Sequence, residues 1–264
     1  MTGLLRPTQT ISPKDRLILA LDVDNKYDAL KLIDELYEQV GVFKVGLELI
    51  TYTGPSFLEE LVAQGLKVFF DCKFMDIPNT VAGASAAVAK LGVSMFNVHA
   101  LGGSAMMKAA VEAAQTSVRT SLQTSSNGAN SSVPKTPPLV LAVTVLTSIN
   151  QSVLNDELGI SKTVKEEVQH LAKLAEQSGI GGVVASAQEA ALIREVTSPS
   201  FAIVTPGVRP AGAQTNDQQR VLTPYDAISN GSDYLVVGRP ITAALNKIEA
   251  AKSIVAEIEA ACGS

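Results

Sequence analysis

Eight short runs rich in Val, Ile, Leu and Phe recur along the chain, each followed by a longer segment of helical periodicity, and this alternation constrains the fold more than any other feature. The runs are RLILALD (16–22), GVFKVGL (41–47), LKVFFD (66–71), SMFNVHA (94–100), LVLAVTVL (139–146), GGVVAS (181–186), FAIVTP (201–206) and DYLVVG (233–238). Strand and helix in strict alternation signify βα units and a parallel sheet. Eight such units predict a closed (β/α)8 barrel, a TIM barrel, as a single α/β domain over residues 1–264. An open doubly wound sheet needs fewer strands and a glycine-rich first turn, and the first turn here, LDVDNKYDAL, has no glycine.

The segment TSVRTSLQTSSNGANSSVPKTPP (116–138) breaks the pattern, being rich in Ser, Thr and Asn and closed by prolines, and it reads as a flexible insertion. In a barrel it joins a helix to the next strand on the face opposite the active site, so it is expected to be a solvated loop and not a lid. A formal net charge of −5 offers no basic face to nucleic acid. The first residues lack the apolar core of a secretory signal and no run is long enough for a membrane span, so a cytoplasmic protein with neither nucleic-acid nor membrane partner is expected. Cys72 and Cys262 are far apart and make no metal-ligand pattern; both are expected to be reduced structural thiols, and no metal site is expected.

Charged residues stand where the strands end. Asp22 closes the first, Lys44 lies in the second, and Asp71 and Lys73 sit at the end of the third, in FFDCKFMDIPNT. Buried charge must be paired, and four such groups of alternating sign at the C-terminal mouth favour a site over a structural ion network. Strand alternation sends Asp71 and Lys73 to one side and Cys72 to the other, toward the helices. Flanked by Asp71 and Asp76, the Lys73 ammonium is favoured, which makes it a proton donor and a poor Schiff-base former. Two carboxylates together repel an anionic substrate group and favour one that departs as neutral CO2. At the other side of the mouth, TPGVRPAGAQTNDQQR follows the seventh strand and VVGRPITAAL the eighth, where barrels commonly hold a phosphate. Arg239 at the start of the final helix opposes the helix dipole unless an anion lies between, and the loop 206–223 is long enough to close over a ligand.

Over nearly its full length the chain resembles the orotidine 5′-phosphate decarboxylase family of the bacterial type. The resembling pieces are LALDVD, FKVGLEL, DCKFMDIPNT, FNVHALGG, AVTVLTS, VTPGVRP, DQQR and SDYLVVGRPIT, of which D-x-K-x-x-D-I-P-N-T is the most specific. The resemblance implies decarboxylation of orotidine 5′-monophosphate to uridine 5′-monophosphate in pyrimidine synthesis, with no cofactor. It also implies roles: Lys73 protonates C6, Asp71 crowds the carboxylate, Lys44 ties Asp71 to Lys73, and Asp22 holds a ribose hydroxyl. Thr147 contacts the pyrimidine, while Arg209, Gln218, Gly238 and Arg239 grip the phosphate. Asp76, Ile77 and Thr80 reach the site of a partner subunit in a homodimer with shared active sites. His99 has no assigned role, and His170 is expected on a helix surface. A rival in the same extended family, magnesium-dependent enzymes of keto-sugar phosphates, uses a glutamate near the end of the second strand, for which Glu48 is the candidate. A non-catalytic phosphosugar-binding barrel would need Arg239 but not the Asp71, Lys73 and Asp76 cluster.

Overall fold

Alternate residues of the strands enter two different cores. The structure, a computed structural model, describes residues 11–125, 136–210 and 222–263. Its eight strands close into a parallel barrel in sequence order: β1 Leu17–Ala20, β2 Val42–Gly46, β3 Val68–Phe74, β4 Met95–His99, β5 Leu139–Val143, β6 Gly182–Val184, β7 Ala202–Pro206 and β8 Tyr234–Val237. Every predicted strand is present, and the expected (β/α)8 barrel is the fold. Ile18, Val42, Phe69, Met95, Leu141, Val204 and Val236 fill the barrel interior. Their strand neighbours Leu17, Leu19, Phe43, Phe70, Phe96 and Leu235 pack outward against the helices. Strands buried on both faces explain why the runs read as continuously apolar.

The surrounding helices are α1 Lys26–Leu36, α2 Leu47–Thr53, α3 Ser56–Ala63, α4 Pro78–Leu91, α5 Gly103–Ser125, α6 Val164–Gln177, α7 Ala190–Val196, α8 Pro224–Ser229, α9 Arg239–Thr242 and α10 Lys247–Cys262. Local chemistry sets their starts. Asn25 Oδ1 accepts from Asp28 N at 2.9 Å to cap α1, Thr163 and Glu166 form a reciprocal capping box on α6, and Pro78 occupies the first turn of α4. Among the described residues no helix is long and apolar enough to cross a membrane.

The segment expected to be loop from residue 116 is helical through Ser125, the last described residue of that stretch. Its composition is a poor guide because tertiary packing overrides weak helix propensity. Ala114 and Val118, four residues apart on one face, are buried in the core, and Ser117 Oγ donates to Ala86 O of α4 at 3.1 Å. Of the rest of the expected insertion, residues 126–135 lie outside the described residues.

A second polar cluster ties the N-terminal end of the barrel. Asp233, fully buried just before β8, accepts from Ile203 N at 2.8 Å and pairs with Arg194 of α7. Arg194 Nε donates to Gly231 O at 3.0 Å, and Arg16 Nη1 donates to Asp233 O at 3.1 Å, linking the start of β1 to that of β8 where the cylinder closes.

The packing of Val118 makes the extent of α5 testable. Val118→Asp should destabilise the protein by about 3 kcal/mol, because a carboxylate would enter an apolar core without a partner. Urea unfolding measures it; a loss under about 0.5 kcal/mol would mean that residue 118 is in a solvated loop, as its composition suggested.

Candidate active site

The inward-facing ladder of the first four strands turns polar at its upper end. Above Ile18 and Ala20 comes Asp22, above Val42 comes Lys44, above Phe69 comes Asp71 and above Met95 comes Asn97. On the other four strands it stays apolar, with Val143, Val184, Pro206 and Val236. The pocket between them has a volume of about 190 Å3 and is lined also by Lys73, Val145, Leu146 and Thr147. Its walls are therefore divided: ions on β2 and β3, with the buried Asn97 of β4 behind them, and hydrocarbon on β5 to β8.

Asp71 is the centre of the charge array. Lys73 Nζ donates to its Oδ1 at 2.6 Å, Asn97 Nδ2 donates to the same oxygen at 2.7 Å, and Lys44 Nζ lies 3.6 Å from Oδ2. Lys44 also donates to Asp22 Oδ1 at 3.1 Å. Burial raises the Asp71 carboxyl, but Lys44, Lys73 and the hydrogen bonds from Lys73 and Asn97 outweigh it and hold the group below its ordinary value of 3.8. The magnitudes agree with that sign: each ammonium at about 4 Å contributes on the order of 4 kcal/mol at an effective dielectric of about 20, against several kcal/mol for desolvating the carboxylate.

Strand alternation alone does not place Lys73. Between the paired positions Phe70↔Phe96 and Phe74↔Val98, β3 carries three residues and β4 only Asn97, so β3 bulges at Asp71, Cys72 and Lys73. Lys73 adopts φ 49°, and it is the sole non-glycine residue with positive φ among those described. Asp71 and Lys73 do meet on one side, as expected, but through this left-handed turn and not through an extended strand. Cys72 faces the helix layer, where burial pushes its thiol up to about 12, so it is an inert structural residue.

A profile of the "Orotidine 5'-phosphate decarboxylase / HUMPS family" matches residues 15–254. The chain belongs to this family. It is 48% identical over 246 residues to a protein of Moorella thermoacetica named orotidine 5′-phosphate decarboxylase, covering 93% of each chain. A protein of the same name from Geotalea daltonii is 49% identical over 245 residues, covering 93% of this chain and 96% of that one. The crystal structure of orotidine 5′-phosphate decarboxylase from Lactobacillus acidophilus superposes with a TM-score of 0.77 at 37% identity, covering 96% of this chain and 99% of the other.

The residues to which the resemblance gave expected roles fall into three groups. Lys44, Asp71, Lys73 and Thr147 line the pocket, with Asp22 bonded to Lys44 at its rim, 63% exposed. Gly238 and Arg239 follow β8. Arg239 opens α9, a single turn, and the last helix is α10, so the dipole argument loses most of its force and only the position at a strand end remains. Arg209 is buried after β7, and its N–H donates to Leu222 O at 3.2 Å, drawing together the two ends of the expected closing loop. Gln218 and most of that loop lie outside the described residues. In the third group, Asp76, Ile77 and Thr80 are exposed at the start of α4 and do not line the pocket; Asp76 Oδ1 accepts from Ile77 N at 2.6 Å. Among the described residues Lys73 forms its ion pair with Asp71 and none with Asp76, against the expectation that both acids flank it.

Two histidines and one glutamate complete the comparison. His99 is half-buried on β4 with Nδ1 unpartnered among the described residues, and burial followed by Lys73 holds its imidazole below 6.5, hence neutral at physiological pH. His170 is on the surface of α6 and Glu48 on the exposed side of α2, so the acid that the magnesium-dependent rival requires is not in the pocket. Asn97 is the site residue that sequence reasoning assigned no function. Its signal was a carboxamide between the apolar neighbours Phe96 and Val98.

The depressed Asp71 pKa has a linkage consequence. Its contribution to stability is complete above 3.8 and is lost as pH falls through the lower folded-state value. Lys44→Met should therefore raise the Asp71 pKa and destabilise the protein by about 3 kcal/mol at pH 7, with the deficit shrinking toward acid pH as Asp71 protonates. Urea unfolding from pH 7 downward checks the sign; a deficit that grows toward acid pH would contradict it.

Proposed function

We propose that Lys73 is the proton donor in decarboxylation of orotidine 5′-monophosphate to uridine 5′-monophosphate and CO2 by this chain, the last step of pyrimidine nucleotide synthesis. One observation carries the reading. An ammonium is fixed 2.6 Å from a buried carboxylate whose other oxygen faces a second ammonium, in a pocket with one hydrocarbon wall. The substrate carboxylate, brought against Asp71, is repelled there and relieved only in the transition state, as its charge leaves the departing CO2. The C6–carboxylate bond breaks, its electron pair stays on C6, and a proton from Lys73 Nζ forms the new C–H bond. Lys73 then regains a proton from solvent. The apolar wall lowers the local dielectric and strengthens the attraction between ammonium and developing carbanion.

Lys44 positions Asp71 and Lys73. Asp22 takes a ribose hydroxyl at the rim, Thr147 contacts the pyrimidine, and Arg209, Gln218, Gly238 and Arg239 take the phosphate. No cofactor enters this scheme. Cytoplasmic residence fits the free thiols Cys72 and Cys262. The assembly is a homodimer in which Asp76, Ile77 and Thr80 serve the partner's pocket. Exposed apolar side chains on successive loops of the mouth support this: Leu47 after β2, Met75 and Ile77 after β3, Leu101 after β4 and Leu146 after β5.

Lys73→Met should reduce turnover of orotidine 5′-monophosphate by at least about a thousandfold while uridine 5′-monophosphate still binds, because the ammonium acts on developing charge and not on the phosphate. Loss of orotate absorbance and calorimetric titration measure the two effects; equal loss of both would make Lys73 structural. Turnover should persist in chelator, since both Asp71 oxygens already have cationic neighbours, whereas chelator-sensitive turnover would favour the magnesium-dependent reading.

Shared sites predict complementation. Lys73→Met and Asp76→Asn homodimers should each be nearly inactive, yet refolding them together makes heterodimers with one intact site. With random pairing about half the dimers are mixed, so roughly a quarter of the unsubstituted activity should return. Recovery no greater than the sum of the two variants, with heterodimers demonstrated by a mass tag, would place Asp76 in its own subunit's site.

A further inference from the structure

Asn97 contacts every residue of the β3 bulge by a different atom. Its Nδ2 donates to Asp71 Oδ1 at 2.7 Å, its Oδ1 accepts from Lys73 N at 2.7 Å, and its main-chain oxygen accepts from the Cys72 thiol at 3.1 Å. It is 0% exposed, and the strand register makes it the single β4 residue facing the three bulged ones. A left-handed φ at a non-glycine residue costs on the order of 1–2 kcal/mol and turns the Lys73 N–H away from the ladder. The buried amide needs a partner, and the Asn97 carbonyl oxygen is that partner.

We infer that Asn97 is a positioning residue, holding Asp71 and the strained Lys73 backbone in the one relative placement that sets the Lys73 ammonium against the reacting carbon. The inference rests on the decarboxylase reading for its catalytic consequence, but the clamp itself is a property of the fold. Residue chemistry explains the choice. The site requires a donor toward a carboxylate and an acceptor toward a backbone N–H from one short planar group, which a carboxamide provides. Leu has neither, and an ionised Asp has only the acceptor. A protonated Asp would reproduce both.

The charged and titratable groups around the clamp are Lys44 on β2, Asp71, Cys72 and Lys73 on β3, Asp22 beyond β1 and His99 on β4, and they define the test. In Asn97→Leu the carboxylate loses a donor, so the Asp71 titration followed by carbon NMR should move to higher pH. Turnover of orotidine 5′-monophosphate should fall about 100-fold through misplacement of Lys73, with KM within a few fold. Unchanged titration, together with either unsubstituted kcat or a parallel loss of kcat and of uridine 5′-monophosphate binding, would overturn the inference and make Asn97 an ordinary core residue.

If Asn97→Leu does not fold, Asn97→Asp, which keeps the size and the acceptor, decides the matter. Below the pKa of the new carboxyl pair the added proton restores the donor; above it two carboxylates repel each other. The rate of this variant should therefore begin to fall at a lower pH than that of the unsubstituted enzyme, whose own alkaline limb comes from loss of the Lys73 proton, and full activity with an unshifted limb would sink the proposal. Should the unsubstituted chain not turn over this substrate at all, the decarboxylase reading fails while the Asp71 titration still decides whether Asn97 is a clamp.

Discussion

The upper half of this barrel is organised around one carboxylate that is largely withdrawn from water. Asp71 lies between two ammoniums and a carboxamide, each on a strand that delivers it from a fixed direction: Lys44 from β2, Lys73 from its own bulge, Asn97 from β4. Remove the carboxylate and the two lysines, on neighbouring strands, are left as like charges without the anion between them. Remove either lysine and a buried anion loses much of its compensation. Room is also specified. A Cβ added at Gly46 would stand 3.1 Å from Lys44 Nζ, so the last residue of β2 carries no side chain to displace that ammonium.

Much of this was legible because period and position carry it. The eight apolar runs announce the eight strands, and a charge ending such a run must be either paired or functional, which marked Asp22, Lys44, Asp71 and Lys73. The bulge was not legible, since a strand that contains one reads in sequence as an ordinary strand slightly too long; its only trace is that β3 extends to Phe74 although the apolar run stops at Phe70. Asn97 was passed over for a related reason: a lone amide in a strand declares that it needs partners, not which ones. The Ser/Thr-rich stretch after residue 116 misled in the opposite direction, because composition reports local propensity while Val118 answers to a core built from distant residues. Asp76 shows a further boundary, since no periodicity marks an exposed acid at the start of α4 as anything but a surface residue.

The division of the pocket walls follows from strand order. A ring of consecutive strands can place all its polar ends on one arc, and here β1 to β4 do so while β5 to β8 present Val143, Val184, Pro206 and Val236. Charges gathered on one arc act on a ligand from one side, and the apolar arc opposite keeps their field from being screened by solvent. The result is a directional electrostatic environment from a fold of near-uniform repeating units.

At the opposite end of the cylinder, Asp233 with Arg194 and Arg16 fastens the seam between the last strand and the first. No member of that trio lines the pocket. Rigidity of closure and chemistry at the mouth thus draw on disjoint sets of residues, separated by the layered interior of the barrel. A lineage carrying this architecture can adjust heat tolerance at the base and reactivity at the rim as nearly independent traits, with little of the conflict that arises when one polar network must serve both.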